Sequence, residues 1–65
     1  MTEELDPLEV RCLALAARGL SSENITRETD IPADRVESAL KSAMEKLRTQ
    51  NLAGAIFRAA RLELI

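Results

Sequence analysis

Apolar residues recur along the chain at intervals of three and four, the spacing that places side chains on one face of an α-helix. The clearest stripe lies within 33–48 and consists of Val36, Leu40, Ala43, Met44 and Leu47. Similar spacing predicts three further helices at about 7–18, 22–29 and 51–62. Aromatic residues, which are typical of strands, make up only 2% of the chain. The pattern therefore predicts an all-α fold with four helices.

Residues that begin and end helices stand at the borders of these segments. Asp6 is placed to cap the first helix, with Pro7 at its first position and Glu9 able to complete a capping box. Gly19 is placed to end that helix in the left-handed conformation, and Ser21 to cap the second. The breaks between the helices are therefore encoded locally.

The second and third helices are separated by a very short turn around Asp30, a residue type that tolerates a left-handed backbone. Helices joined this closely usually cross steeply, and that arrangement presents the later helix to a groove of DNA. The polar side of 33–48, which includes Ser42, is therefore a candidate recognition surface. Polar helix faces of this kind are more often simply solvated, and that alternative stays open.

Composition narrows the classes of function. The chain has 65 residues, one cysteine and no histidine. A domain this small gains stability from association with a second subunit. Without histidine, and with no evident nucleophile or ligand cluster, we expect no enzymatic activity, no metal and no cofactor. Cys12 falls on an apolar stripe and is predicted to be a buried structural thiol.

Charge and hydropathy bear on location and partners. No apolar run approaches the roughly 18 residues of a membrane span, and the acidic start at Glu3 and Glu4 is unlike a secretory signal. We therefore expect a cytoplasmic protein with no membrane partner. The formal net charge of −2 is unusual for a DNA-binding module, although the basic residues concentrate in the second half of the chain.

The fourth predicted helix, with Asn51 as its N-cap, carries two apolar stripes. The stripe expected in the core consists of Leu52, Ala55, Ile56, Ala59 and Leu62. The second stripe consists of Ala53, Phe57, Ala60 and Leu64. Because a helix of so small a domain buries only one stripe in its own core, the second is predicted to contact a partner. The alternative is that Phe57 packs into the core.

A spaced set of residues extends over nearly the whole chain. It consists of Leu5, Glu9 and Leu13, then Gly19, Leu20 and Ser21, then Ile25, Ile31, Val36, Met44, Lys46 and Leu47, and finally Ala55, Ala59, Leu62, Leu64 and Ile65. With these residues the chain resembles, without insertion or deletion, the DNA-binding domain of LuxR-type regulators, which bacterial quorum-sensing activators share with many response regulators. Region four of sigma factors is similar in the middle, but the ending at 59–65 favours the LuxR type.

The resemblance implies a four-helix helix-turn-helix domain that regulates transcription. Helix 33–48 would enter the major groove of double-stranded DNA, and the fourth helix would pair two copies on a palindromic site. Implied base contacts fall on Glu37, Ser38 and Lys41, and positions that often contact phosphate fall on Ser21, Ser22, Glu23, Asp34 and Arg35. Arg48, at the end of the helix, is a further predicted DNA contact because of its charge. The predicted dimer interface consists of Ala53, Ile56, Phe57, Ala60 and Leu64.

The chain departs from the family pattern at several of these positions. Glu23, Asp34 and Glu37 stand where many members carry lysine or arginine, and each acid adds repulsion with phosphate. Glu37 can still accept a hydrogen bond from cytosine N4. A second hypothesis therefore stays open: an adaptor or anti-activator that pairs with another regulator protein through its fourth helix without binding DNA.

Other departures concern helix ends. Asp30, Arg48 and Glu63 stand where the family has glycines, and Pro32 stands where a capping serine or threonine is usual. We expect each to cost a few tenths to about 1 kcal/mol of stability, through left-handed strain or a missing cap.

Overall fold

Four α-helices account for most of residues 5–65, the part of the chain that the structure, a computed structural model, describes. α1 is Pro7–Ala17, α2 is Ser22–Thr29, α3 is Ala33–Lys46 and α4 is Leu52–Arg61. No strand occurs among these described residues, so the predicted all-α fold is confirmed. None of the four helices is long and apolar enough to cross a membrane. Glu3 and Glu4 lie outside the described residues.

Side-chain caps begin three of the helices, as the sequence predicts. Asp6 and Glu9 form the capping box: the Glu9 N–H donates to Asp6 Oδ1 at 2.8 Å, and the Asp6 N–H donates to Glu9 Oε1 at 2.9 Å. The side chains of Ser21 and Asn51 each accept from the third N–H of the helix that follows, at 3.2 and 2.6 Å. These bonds satisfy N–H groups that have no partner within the helix.

Three helices end in the same left-handed turn. The residues of these three turns with positive φ are Gly19 at 92°, Arg48 at 58° and Glu63 at 60°. After each of them, the next N–H bonds back to a carbonyl five residues earlier, at 3.3 Å after α1, 2.9 Å after α3 and 2.8 Å after α4. This turn ends α3 at Lys46, two residues before the predicted end, and α4 at Arg61 instead of Leu62.

The core lies between α1 and α3, which pack against each other, while α2 and α4 occupy separate flanks. Each flanking helix contacts both central helices, and α2 and α4 have no contact with each other within residues 5–65. The buried side chains at the centre include Leu13, Ile25 and Val36. Leu62, predicted for the core, is instead 52% exposed because it caps α4 just before the chain turns away at Glu63.

The single thiol belongs to this core. Cys12 is fully buried and free, as predicted. Burial raises the pKa of its thiol; the nearby charge of Arg11 opposes that rise and the charge of Asp6 adds to it. The thiol therefore packs as a small apolar group.

Candidate nucleic-acid interface

The polar side of α3 faces away from the rest of the molecule. Its buried residues are Val36, Ala39, Leu40 and Ala43, and its exposed residues include Asp34, Arg35, Glu37, Ser38 and Lys41. Four of the exposed residues, Asp34, Glu37, Ser38 and Lys41, follow one another at helical spacing and form one stripe about 10 Å long. We call this stripe the recognition face.

The turn that precedes α3 is held by a side chain as well as by the backbone. Thr29 Oγ1 donates to the carbonyl of Ile25 at 2.7 Å and accepts from the N–H of Ile31 at 3.2 Å. Asp30 adopts the predicted left-handed conformation with φ of 63°. Because Ile25 is fully buried, these bonds tie the turn to the core and fix the direction in which α3 leaves it. Hydrophobic periodicity gives no signal at Thr29, although a threonine beside a left-handed residue is a recognisable turn signal.

The first turn of α3 lacks the usual cap. Pro32 occupies the N-cap position and makes no side-chain hydrogen bond there. The carboxylate of Asp34 instead accepts from the N–H of Arg35 at 3.0 Å. An acid in the first turn also interacts favourably with the helix dipole. Asp34 therefore supports the helix while it places negative charge on the recognition face.

The start of α2, at the opposite end of that helix from the turn, carries the two predicted serines. Ser21 is exposed and Ser22 is half-buried. In the capping bond the Ser21 hydroxyl accepts, so its own proton can still be donated to an outside acceptor. Glu23, in the first turn of α2, is exposed and adds a negative charge near this donor.

Arg48 is set apart from the other predicted contacts. It is exposed and follows the end of α3, about 20 Å from Arg35 along the direction of the helix. Its left-handed backbone turns the chain towards α4. Arg35 therefore lies at the start of α3, on the same helix as the recognition face, whereas Arg48 lies beyond the opposite end of α3.

Ser42 was predicted on the exposed polar side of 33–48, and this prediction is wrong. Ser42 is half-buried because it forms a hydrogen bond with the Glu9 carboxylate. Lys46 Nζ also donates to Glu9 Oε1, at 2.9 Å, and forms an ion pair with it. The cluster of Glu9, Ser42 and Lys46 thus joins α1 to α3.

The environment of Glu9 favours its charged form. Burial alone would raise the pKa of Glu9, since only 3% of the residue is exposed. Hydrogen bonds from Ser42, Lys46 and the Asp6 backbone, together with the charge of Lys46, outweigh burial and hold the pKa below its ordinary value of 4.5. Glu9 is therefore a buried structural carboxylate and is not part of the exposed surface.

The side of α4 away from the core is largely apolar. Ala53, Phe57 and Ala60 are exposed, and Phe57 is 64% exposed, so it does not pack into the core. We call these three residues the alanine stripe. Ile56, predicted for the dimer interface, is half-buried and packs against the core. Leu64 is 38% exposed but follows the left-handed turn, so it does not continue the helical stripe.

Comparison with known protein families agrees with this geometry. The family model described as "GerE: Bacterial regulatory proteins, luxR family" matches residues 3–59, which include the turn, the recognition face and most of α4. A search of curated proteins and a search of solved structures each gave no match. The chain therefore belongs to the luxR family of bacterial regulatory proteins, whose helix-turn-helix domains bind DNA and regulate transcription.

Proposed function

We propose that this chain acts in the cytoplasm as a transcription regulator that places α3 in the major groove of double-stranded DNA. The observation that carries the proposal is the exposure of the recognition face on a helix whose opposite side is buried. The major groove of B-DNA is about 12 Å wide and admits an α-helix. The hydrogen bonds of Thr29 support the proposal, because they hold the turn before that helix in one conformation.

Within that arrangement, each exposed group has a suitable chemistry. Lys41 can donate to guanine O6 and N7, Glu37 can accept from cytosine N4, and the Ser38 hydroxyl can do either. Arg35, with Ser21 and Ser22 at the start of α2, suits phosphate contacts, and Arg48 would meet the backbone farther along. We assign base reading to the residues of the recognition face, and positioning on the DNA backbone to the arginines and serines.

Binding to random-sequence duplex DNA at low salt tests the proposal. A regulator binds, and the logarithm of its affinity falls with the logarithm of the salt concentration by about 0.9 per phosphate contact. Lys41→Ala should then weaken binding to a selected site more than binding to random DNA. Arg18→Ala, an exposed arginine at the end of α1, is the matched control and should leave both affinities unchanged.

We further propose that two copies pair through the alanine stripe, with contributions from Ile56 and Leu64. A homodimer of this kind would place its two α3 helices about one helical turn, or 34 Å, apart on a palindromic site. Phe57→Asp should convert the dimer to a monomer in sedimentation, whereas Leu62→Asp, an exposed apolar residue on the neighbouring face, should not. A dimer that survives Phe57→Asp would exclude this interface.

The exposed acids on the DNA side favour one alternative function. Glu23, Asp34 and Glu37 are all exposed, and each would repel phosphate. An adaptor that pairs with another regulator protein through α4 needs no basic face. Absence of binding to duplex DNA even at low salt would favour this alternative over DNA recognition by α3.

A further inference from the structure

An open groove runs along one side of α4, apart from the recognition face. Its volume is about 410 Å³, and it is lined by Thr49, Gly54, Phe57, Arg58, Arg61 and Leu62. The last five of these residues recur at helical spacing, so the groove is one face of α4, about 12 Å long. We call it the arginine groove. It meets the alanine stripe at Phe57 and otherwise consists of different residues.

The floor of the arginine groove is apolar and open to solvent. Phe57 is 64% exposed and Leu62 is 52% exposed, the two largest values among the bulky apolar residues of 5–65. The guanidinium carbon of Arg61 lies 5.8 Å from the centre of the Phe57 ring. A cation at that distance interacts with the ring and keeps the arginine beside the apolar surface.

The rim of the groove is positively charged without compensation. α4 contains two arginines and no acidic residue, and neither Arg58 nor Arg61 forms an ion pair within residues 5–65. The chain as a whole carries a net charge of −2, so this is a basic patch on an acidic protein. Guanidinium groups bind carboxylates through paired hydrogen bonds, which makes carboxylates suitable partners for this rim.

We propose that the arginine groove docks an acidic, apolar segment of another protein. Carboxylates of that segment pair with Arg58 and Arg61, and an apolar side chain lies between Phe57 and Leu62. The inference does not depend on DNA binding by α3, because the groove and the recognition face share no residue.

A second copy of the chain is a poorer occupant of this groove. In a two-fold dimer the same patch meets itself, so groove against groove would bring the arginines of one copy against those of the other. The alanine stripe lacks charge, and its small residues Ala53 and Ala60 allow close approach beside the apolar ring of Phe57. Self-association therefore fits the alanine stripe, and an acidic partner fits the arginine groove.

The proposal is tested by selection from a phage-displayed library of random peptides. Peptides of about 16 residues suffice, because such a peptide in helical form is roughly twice as long as the groove. The immobilised full chain should enrich peptides that combine carboxylates with large apolar residues. Their affinities are then measured by fluorescence anisotropy. Arg58→Gln/Arg61→Gln should weaken binding by about tenfold, whereas Arg18→Gln/Arg27→Gln, which removes two exposed arginines elsewhere, should change it less than about twofold.

Further measurements distinguish a specific loss of peptide binding at the groove from loss of folding and from failure of DNA recognition. With the unaltered chain, raising salt from about 50 to about 500 mM should weaken peptide binding. Arg58→Lys/Arg61→Lys should retain most of the affinity because it keeps both charges. Duplex DNA should bind the glutamine double variant as well as the unaltered chain, so that failure of peptide docking and failure of DNA recognition remain distinguishable.

Several results would overturn the proposal. They are no enrichment at all, enriched peptides without carboxylates, equal losses in the two double glutamine variants, and a dimer in sedimentation that Arg58→Gln/Arg61→Gln converts to a monomer. The last result would assign the groove to a second copy. A loss of duplex DNA binding that parallels the loss of peptide binding would assign the arginines to nucleic acid instead.

Discussion

At the scale of single residues, Glu9 has two structural roles. One carboxylate caps α1 and pairs with Lys46 of α3, thirty-seven residues later in the chain. Because its folded-state pKa lies below the ordinary value of 4.5, the charged form stabilises the fold above about that pH. The contribution is lost as the pH falls through the folded pKa. Acid should therefore weaken the contact between α1 and α3.

Glu9→Gln should lower the free energy of unfolding by about 1–3 kcal/mol at about pH 7, since it leaves Lys46 with a neutral partner. It should also flatten the decline in stability between about pH 5 and about pH 3. Urea denaturation across that range measures both effects. Glu45→Gln, an exposed carboxylate on α3, is the control and should change neither. An unaltered pH profile in Glu9→Gln would remove this carboxylate as the source of acid sensitivity.

The thiol of Cys12 provides a second prediction at this scale. Burial hides the sulfur and raises its pKa, so both access and thiolate fraction are low in the folded chain. Reaction with a disulfide reagent such as Ellman's should be slow under native conditions and fast in urea. Cys12→Ser should be destabilising, because it places a hydroxyl in an apolar site. Rapid native modification would contradict the burial of this side chain.

At the scale of elements, the helix ends show where the chain accepts strain. Arg48 and Glu63 adopt positive φ without being glycine, and Asp30 does so between α2 and α3. Among the positive-φ positions of residues 5–65, only Gly19 is a glycine, which takes this conformation without strain. The turns nevertheless form, since each returns a backbone N–H to the preceding helix.

Arg48→Gly should stabilise the domain by about 0.5–1 kcal/mol, because glycine relieves the left-handed strain after α3. Arg48→Ala is the matched control: it removes the same charge but keeps the Cβ, and it should give no gain. Thermal unfolding followed by circular dichroism measures the difference. Equal melting temperatures for the glycine and alanine variants would show that the backbone conformation carries little strain.

The sequence predicted those features of the elements that are local. Caps at Asp6, Ser21 and Asn51 and left-handed residues at Gly19 and Asp30 depend on neighbours in the chain, and the structure confirms them. The contact of Ser42 with Glu9 was missed because it joins two helices far apart in sequence. Leu62 was wrongly placed in the core because periodicity cannot show that α4 ends one residue earlier.

At the scale of the whole molecule, the packing separates two surfaces that differ in charge. The recognition face and the exposed residues of α2 mix the acids Glu23, Asp34 and Glu37 with the bases Arg27 and Lys41, whereas α4 on the other flank carries only positive charge. Since α2 and α4 do not touch within the described part, a partner on α4 leaves the DNA side accessible. Charge at each surface can therefore be altered separately.

Glu23→Lys tests whether the start of α2 lies next to a DNA phosphate in the complex. The residue is exposed in the first turn of α2, beside Ser21 and Ser22, so a lysine there should gain one phosphate contact. The salt dependence of duplex binding should steepen by about 0.9 in the logarithmic slope, with tighter binding at low salt. Glu28→Lys, which makes the same charge change on an exposed residue near the other end of α2, should tighten binding less and leave the slope nearly unchanged. Equal gains in the two variants would mean that net charge alone, and not this face, governs the affinity for DNA.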